Sequence, residues 1–317
     1  MTIHDLQSNT VISTCPHNTV VALGCFDGVH MGHRALLAKA AEKAPGFGAF
    51  AAVWTFSEHP FKRGEVLTVF SDKLVLFAAC GIRYVFSVSY EEVKDLSTLD
   101  FVQNVLIKEC HAIATVCGFN FHFGKGAAGD HHTLLEHMKA NGYESFTVDA
   151  VTYADQPISS TRIRARLLRG ETEDAAAMLG HYYSLSLPVL HGKELGRTLD
   201  APTVNQEIPE KVQSLRFGTY ATITEIDGIL YPSVTNIGTR PSISQGDDHH
   251  INAETHIIGY IGWLYDTTVR VYYCHRLRDE MHFSSLDDLK AQIKRDCVAS
   301  QRTFDYDKAY CMQKGDR

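Results

Sequence analysis

The chain has 317 residues, 44% of them hydrophobic, and a formal net charge of −7 at pH 7. This length is enough for two domains, and without a dense run of Lys and Arg no broad nucleic-acid-binding surface is expected. No apolar run approaches the ~20 residues of a membrane span, and no signal peptide is recognised. The eight cysteines stand singly, with no C-x-x-C pair. This argues against a zinc or redox-dithiol site and predicts a reducing, cytoplasmic setting.

The first half of the chain alternates strand-like and helix-like segments. The predicted strands are 19–24, 49–55, 83–88 and 113–117, and the predicted helices are 33–43, 71–80, 98–109, 131–141 and 161–179. This alternation indicates βαβ units around a parallel sheet, that is, a Rossmann-like α/β domain. Ligands of such sheets bind at the carboxyl ends of the strands.

The first of these strands runs into the segment 24–33, which reads GCFDGVHMGH. Glycine lets the backbone approach a ligand closely, and a helix N-terminus offers unpaired N–H groups to an anion. His30 and His33, three residues apart, add donors that can follow charge on a transferring phosphate. One histidine alone is more simply a turn cap or a surface residue. The whole pattern after a strand favours a phosphate-binding turn.

Two later segments of the first half carry similar signals. Residues 158–164 read ISSTRIR, which suits a helix N-cap. We interpret it as a cap and as a second phosphate site, because the Arg164 fork matches phosphate oxygens. Residues 118–130 read GFNFHFGKGAAGD. Some of their aromatic side chains face a core, but the three loop glycines suggest a loop lying against a flat or phosphorylated ligand.

From about residue 185 short strand-like runs follow one another. They are 187–191, 218–226, 229–237, 254–261 and 268–276, and turn signals separate them. This pattern predicts a small antiparallel barrel or sandwich. A helix is predicted for 285–295, where apolar residues share one face. We place the domain boundary near Tyr183, which gives domains 1–183 and 184–317.

The motifs of residues 19–183, together with TFSEHP at 55–60, resemble the adenylyltransferase half of prokaryotic bifunctional FAD synthetases. The resemblance implies that FMN phosphate attacks the α-phosphate of ATP and that FAD and pyrophosphate form. His30, His33 and Arg164 are then the catalytic residues. The residues expected at the ATP phosphates are Gly24, Phe26, Asp27, Gly28, Ser159, Ser160 and Thr161. Asn120 and Asp130 match positions near the flavin. One departure is Val66, where the family often carries Arg.

The motifs of residues 184–296 resemble the riboflavin kinase module, a small β-barrel that transfers the γ-phosphate of ATP to riboflavin. The resemblance implies that Thr203 and Asn205 bind Mg²⁺ and the ATP phosphates, because oxygen ligands suit this cation. Glu254 is the expected general base for the ribityl hydroxyl. Gly196 is expected at ATP, and Arg278 near the flavin.

The kinase motif departs from the family at Asp200 and Ala201, where a glycine and a phenylalanine are usual. Three hypotheses therefore stay open. The first is a bifunctional enzyme with small-molecule substrates only, namely ATP, FMN and riboflavin. The second is an FMN adenylyltransferase whose degenerate barrel supports it or binds flavin. The third is a flavin carrier without turnover. The sequence leaves the oligomeric state open.

Overall fold

The computed structural model describes residues 1–58, 65–190, 203–239 and 250–315. The chain divides into two compact units, Met1–Ser160 and Thr161–Asp316. The helices are α1 (Met31–Lys43), α2 (Phe70–Ala79), α3 (Tyr90–Val93), α4 (Thr98–Asp100), α5 (His131–Ala140), α6 (Ser160–Arg169), α7 (Thr172–Leu179) and α8 (Leu286–Gly315). The strands of the first unit are β1 (Thr2–Asp5), β2 (Thr10–Ile12), β3 (Thr19–Leu23), β4 (Phe50–Phe56), β5 (Tyr84–Val88), β6 (Ala112–Gly118), β7 (His122–Phe123), β8 (Gly129–Asp130), β9 (Glu144–Val148), β10 (Thr152–Tyr153) and β11 (Gln156–Pro157). Those of the second unit are β12 (Tyr183–Pro188), β13 (Thr203–Ile208), β14 (Gly218–Ile226), β15 (Ile229–Thr239), β16 (Ile251–Ile257) and β17 (Thr268–Arg278).

The first unit is built on a seven-stranded sheet in the order β2-β1-β5-β4-β3-β6-β9. Five neighbouring strands of this sheet run parallel, namely β5, β4, β3, β6 and β9. The β1–β2 hairpin adds two antiparallel strands at one edge. All five residues of β3, TVVAL, are buried, as expected for a parallel strand covered on both faces. Val20 and Ala22 pack with α1 and α2, and Val21 and Leu23 pack on the opposite face. The Rossmann-like α/β prediction is confirmed.

The second unit is a six-stranded antiparallel sheet in the order β12-β17-β14-β15-β16-β13. Its two edge strands approach each other, because Leu190 forms a bridge to Asn205 and donates its N–H to the Asn205 carbonyl at 2.8 Å. The buried Gln206 side chain adds a bond to the Leu187 carbonyl at 2.7 Å. The long helix α8 covers the outer face, where Phe304 packs in a cluster with Ile223. This is the predicted small antiparallel barrel with a terminal helix.

Buried hydroxyl groups line the inner face of this sheet. Thr222 contacts Ser233 and Thr235, each at 2.9 Å between hydroxyl oxygens. Thr235 contacts Thr255 at 2.9 Å, and Thr224 donates to Ser233 at 2.8 Å. The five side chains form one continuous hydroxyl chain, so polar groups in the barrel interior satisfy one another.

Some predicted elements differ from the structure. The helix predicted for 161–179 is two helices, α6 and α7, separated at Gly170, whose φ of +76° a side chain would disfavour. The helix predicted for 98–109 begins as α4 and continues as the π-helix Phe101–Glu109. The hairpin β1–β2 and the strands β9 and β13 were not predicted, because they are short or break the alternation of their neighbours.

Candidate active sites

The first candidate site lies where the order of the parallel strands reverses. From β3 the chain passes to β4 on one side of the sheet and later to β6 on the other side. The segment 24–33 leaves the carboxyl end of β3, and the segment 118–130 leaves that of β6. A crevice between diverging connections is the usual ligand site of such sheets. The topology therefore places the two predicted segments at one edge, as expected.

The turn that follows β3 has a strained backbone. Phe26, Gly28 and Val29 have φ values of +51°, +84° and +39°. A positive φ is uncommon for a non-glycine residue and an outlier for a β-branched one. Phe26 and Val29 are also fully buried, and a Cβ on Gly24 would meet the Phe26 ring at 3.2 Å. Such strain persists only where surrounding structure enforces it, and it is concentrated at functional sites.

Side chains from two neighbouring elements hold the start of this turn. The Cys25 carbonyl accepts a hydrogen bond from Thr55 Oγ1 at 3.1 Å and another from Lys73 Nζ at 2.9 Å. Thr55 belongs to β4 and is fully buried, and Lys73 belongs to α2 and is 5% exposed. Both bonds constrain the peptide that precedes the strained Phe26.

Asp27 holds the middle of the turn. Its Oδ1 accepts from the backbone N–H of Leu67 at 2.8 Å and from that of Thr68 at 3.3 Å. Its carbonyl accepts from Ser160 Oγ at 2.9 Å. Asp27 is 2% exposed, so the structure gives its side chain a supporting position. Its predicted contact with ATP phosphate stays a prediction.

The two histidines stack at the start of α1. Their ring centroids are 3.6 Å apart, with 15° between the planes. His30 is the N-cap of α1, and its Nδ1 accepts the His33 N–H at 3.3 Å. Burial lowers the pKa of His30 to about 4. Burial first, and then His30 and Lys73, hold the pKa of His33 well below its usual range. Both imidazoles are therefore neutral near pH 7 and act as hydrogen-bond donors rather than as fixed cations.

The remaining predicted residues of the first half have distinct positions. Ser160 opens α6, and Thr161 and Arg164 lie in the first two turns of the same helix, within the second unit. Ser159 directly precedes this helix. Asn120 follows β6, and its Oδ1 lies against Gly118. Asp130 is the N-cap of α5 and accepts from the Thr133 N–H at 2.9 Å.

The second candidate site is a transverse row of polar residues across five strands of the barrel sheet. Directly opposite each other in register are Asn205 and Glu254, Glu254 and Asn236, Asn236 and Thr219, and Thr219 and Arg278. Residues directly opposite in a sheet point to the same face. The register thus places the predicted residues Asn205 and Glu254 side by side. Arg278 lies at the far end of the same row, three strands from Glu254 and next to a register shift between Thr219 and Tyr220.

Polar atoms converge at one end of this row. Asn252 Nδ2 lies 3.3 Å from Asn205 Oδ1 and 3.4 Å from Glu254 Oε1. Asn205 and Asn252 are buried, whereas Glu254 is exposed. Thr203, two residues before Asn205 on β13, lies on the same face. The exposed Glu254 carboxylate is suited to accept a proton, and the buried Asn205 oxygen beside it is suited to bind a cation.

At the other end of the row Arg278 is held by helix α8. Its Nη2 donates to Asp296 Oδ2 at 2.8 Å, and its Nε lies 3.1 Å from the same oxygen and 3.3 Å from Oδ1. Asp296 is 5% exposed, so this bidentate ion pair fixes the guanidinium. The expected flavin contact of Arg278 stays a prediction.

Several predictions fall outside the residues that the structure describes. These are the predicted ATP ligand Gly196, the departures Asp200 and Ala201, and His59 and Pro60 of the TFSEHP segment. Within the described ranges no group of three or more His, Cys, Asp or Glu is arranged to hold a metal ion.

Sequence reasoning missed Lys73 and Asn252. Lys73 lies in a helix-like run in which a lysine is more simply a surface residue, and only the tertiary structure shows it to be buried. Asn252 lies two residues before Glu254, so it shares a face with it, and this spacing was the available signal.

Sequence comparisons assign both halves of the chain. The sequence model of the FAD synthetase family matches residues 12–162, and that of the riboflavin kinase family matches residues 179–304. The chain is 33% identical over 295 residues to the bifunctional riboflavin kinase/FMN adenylyltransferase of Escherichia coli K12, covering 90% of this chain and 92% of the relative. It is 32% identical over 287 residues to the protein of the same name from Listeria monocytogenes, covering 88% and 90%. The chain belongs to the family of bifunctional riboflavin kinase/FMN adenylyltransferases.

A solved structure is similar to this chain over most of its length. It is the crystal structure of a macrolide-efflux protein from Streptococcus pneumoniae, with a TM-score of 0.82 and 26% identity, covering 94% of this chain and 97% of that chain. Of the helices that the structure describes here, none is both long and apolar enough to cross a membrane.

Proposed function

We propose that this chain makes FAD from riboflavin in two steps, at two separate sites. The second unit phosphorylates riboflavin with ATP to give FMN. The first unit transfers the adenylyl group of a second ATP to FMN to give FAD and pyrophosphate. The observation that carries the proposal is the combination of a histidine turn at the switch point of one sheet with a polar row across another.

The adenylyl transfer needs no protein nucleophile. An oxygen of the FMN phosphate forms a bond to the α-phosphorus of ATP, and the bond from that phosphorus to the bridging oxygen breaks. Pyrophosphate leaves with the electron pair. The free N–H groups at the start of α1 and the neutral rings of His30 and His33 are suited to bind the triphosphate and stabilise its developing charge. We assign the phosphate contacts of the α6 start to Ser159, Ser160, Thr161 and Arg164. The flavin-side positions are Asn120 and Asp130.

In the phosphorylation step Glu254 accepts the proton of the ribityl hydroxyl. The oxygen attacks the γ-phosphorus, and ADP leaves with the electron pair of the broken bond. Glu254 suits this role because it is exposed, and its neighbours in the row are neutral amides and a hydroxyl rather than a cation. The position of Arg278 at the far end of the row suits a contact to the flavin.

The donors around Asn205 fit Mg²⁺ that arrives with ATP. Asn205 Oδ1 and the Thr203 hydroxyl are hard oxygen donors on one face of β13, and Mg²⁺ binds through few protein oxygens plus phosphate and water. When bound, the ion neutralises charge on the β- and γ-phosphates. Thr203 and Asn205 would hold it.

Two further assignments belong to the same proposal. We place the functional boundary near Tyr183, where β12 begins the barrel. We also place the protein in the cytoplasm, because all eight cysteines are free thiols and such thiols are typical of reducing compartments.

The competing hypothesis is an adenylyltransferase with an inactive barrel. The intact row from Asn205 to Arg278 favours an active kinase. Chromatographic product analysis with MgATP tests both steps. FMN and FAD are expected from riboflavin, and FAD from FMN. FAD from FMN with no product from riboflavin would select the adenylyltransferase alone, and no product from either substrate would overturn the proposed function.

A further inference from the structure

Lys73 is a buried cation directly behind the histidine turn. It lies in the first turns of α2, where its backbone N–H donates to the Val69 carbonyl at 3.1 Å. Its side chain is buried, although lysine is almost never fully buried in proteins. The Nζ group donates to the Cys25 carbonyl at 2.9 Å. The ammonium group is therefore buried and bonded to the backbone of the turn.

The Lys73 ammonium group lies in the field of a buried carboxylate, that of Asp27. Burial lowers the pKa of Lys73, and the buried Asp27 carboxylate acts in the opposite direction. Charges removed from water are a weak source of stability, because their desolvation offsets their attraction. A methionine of similar length would fill the same space without this cost. The position of the charge thus calls for a functional reason.

The surroundings of Lys73 supply that reason. The Cys25 carbonyl that it binds belongs to the peptide before Phe26, the first residue of the turn with a positive φ. The Lys73 side chain is therefore bonded to the peptide directly before the strained residue. Its field acts in a low-dielectric interior, where charge interactions are strong, and it reaches His33.

Resting on the proposed adenylyl transfer, we propose that Lys73 is a positioning residue of that site. It pins the Cys25 carbonyl so that the turn presents His30 and His33 to the triphosphate, and it supplies a buried positive charge behind them. Because Lys73 is 5% exposed, it acts through the turn and not by contact with substrate.

The test compares two substitutions in the full-length protein. Lys73→Met removes the donor and the charge, whereas Lys73→Gln removes the charge and keeps a donor. We expect Lys73→Met to lower kcat for FAD formation from FMN by about 10²-fold, as for a misplaced catalytic group, with a smaller change in KM for ATP. Lys73→Gln should lower kcat for FAD formation by a smaller factor. Riboflavin phosphorylation by the same preparations should be unchanged.

A pH profile separates this role from a merely structural one. The charged and titratable groups around the turn are Cys25, Asp27 and His30 of the turn, His33 of α1 and Lys73 of α2. A positive charge disfavours the imidazolium form, so its loss raises the pKa of His33. The acid limb of kcat/KM for FAD formation should move to higher pH in both variants. Leu106→Ala, a buried change on the opposite face of the sheet, serves as the control and should leave the limb in place.

The outcomes are distinguishable. A wild-type chain that makes no FAD overturns the proposed function and this inference with it. Active wild type with an unchanged kcat and acid limb in Lys73→Met overturns the inference alone. An equal shift of the limb in Leu106→Ala also overturns it. If thermal unfolding shows that Lys73→Met does not fold, the acid limb of Lys73→Gln decides.

Discussion

The two units present their candidate catalytic groups in opposite ways. In the first unit the neutral rings of His30, which is buried, and His33, which is partly exposed, stack where a strained turn meets α1, and bonds from other elements hold that turn. In the second unit an exposed carboxylate, Glu254, stands on a strand, and the register of the sheet places Asn205 and Asn236 beside it. The comparison teaches that the first site depends on distant supporting contacts, whereas the second depends on strand pairing.

The largest effect that tests this difference between the two units is expected from His30→Ala. We expect FAD formation from FMN to fall by about 10³-fold, because a donor to the developing charge is lost. FMN formation from riboflavin should stay unchanged. Chromatographic rates with each substrate measure both. His30→Asn is the matched control, since asparagine is a good N-cap but lacks the imidazole. Full activity of His30→Asn would mean that His30 acts as a cap only.

The counterpart in the second unit is Glu254→Gln. Loss of the general base should lower FMN formation by about 10²-fold and leave FAD formation from FMN intact. Glu207→Gln is the matched control, because Glu207 is an exposed carboxylate on the adjacent strand β13. Its side chain pairs with His250. Equal losses in the two variants would show that net charge, and not a proton acceptor at position 254, matters.

A smaller effect is expected from Ser160→Ala. The change removes the hydrogen bond to the Asp27 carbonyl, and a bond of about 1.4 kcal/mol corresponds to a tenfold change in rate. FAD formation should therefore fall about tenfold, and Ser160→Thr should restore it because threonine keeps the donor. Steady-state rates with FMN and ATP provide the measurement. Unchanged rates in Ser160→Ala would remove this contact from the set that supports the turn.

The smallest effect concerns stability in the second unit. His275 lies between Asp307 at 3.0 Å and Glu173 at 2.9 Å, and hydrogen bonds to these two carboxylates raise its pKa to about 9. Because the pKa is raised on folding, the stabilisation is complete below about pH 6.5, the ordinary value. It is lost as the pH rises through about 9.

We expect Tm of the wild type to fall by a few degrees across that window. In His275→Gln this part of the decrease should be missing, as thermal unfolding between pH 6 and pH 10 would reveal. Parallel pH dependences of wild type and variant would rule out His275 as the source.

Much of the first site could be predicted because its signals are local. A buried strand, a glycine-containing turn and paired histidines follow one another within fifteen residues, and the structure places them at the expected edge. The support of that turn could not be predicted. Lys73 and Thr55 reach Cys25 from other elements, and their burial is a property of the packed sheet rather than of the sequence around them.

The second site could not be predicted from local sequence patterns. Glu254, Asn205 and Arg278 were found only through the resemblance, since each has a simple alternative as a strand or turn residue. Their alignment in one row depends on the registers of four strand pairs, which no local pattern specifies. The single helix predicted for 161–179 was wrong for a similar reason. The break at Gly170 needs a positive φ, and the Arg276 side chain lies against that glycine.

The hydroxyl chain inside the barrel has a consequence for how this sequence can diverge. Exchanging Thr235 for valine would remove the hydroxyl that Thr255 contacts, whereas Thr222 would keep its contact with Ser233. A group orphaned in this way costs about 1–3 kcal/mol. Replacing the four threonines by valine and Ser233 by alanine would remove all five hydroxyls together and orphan none of them. A single substitution in this hydroxyl chain therefore destabilises the barrel, whereas replacement of all five residues together does not. We expect related sequences to keep the hydroxyl residues together or to replace them together.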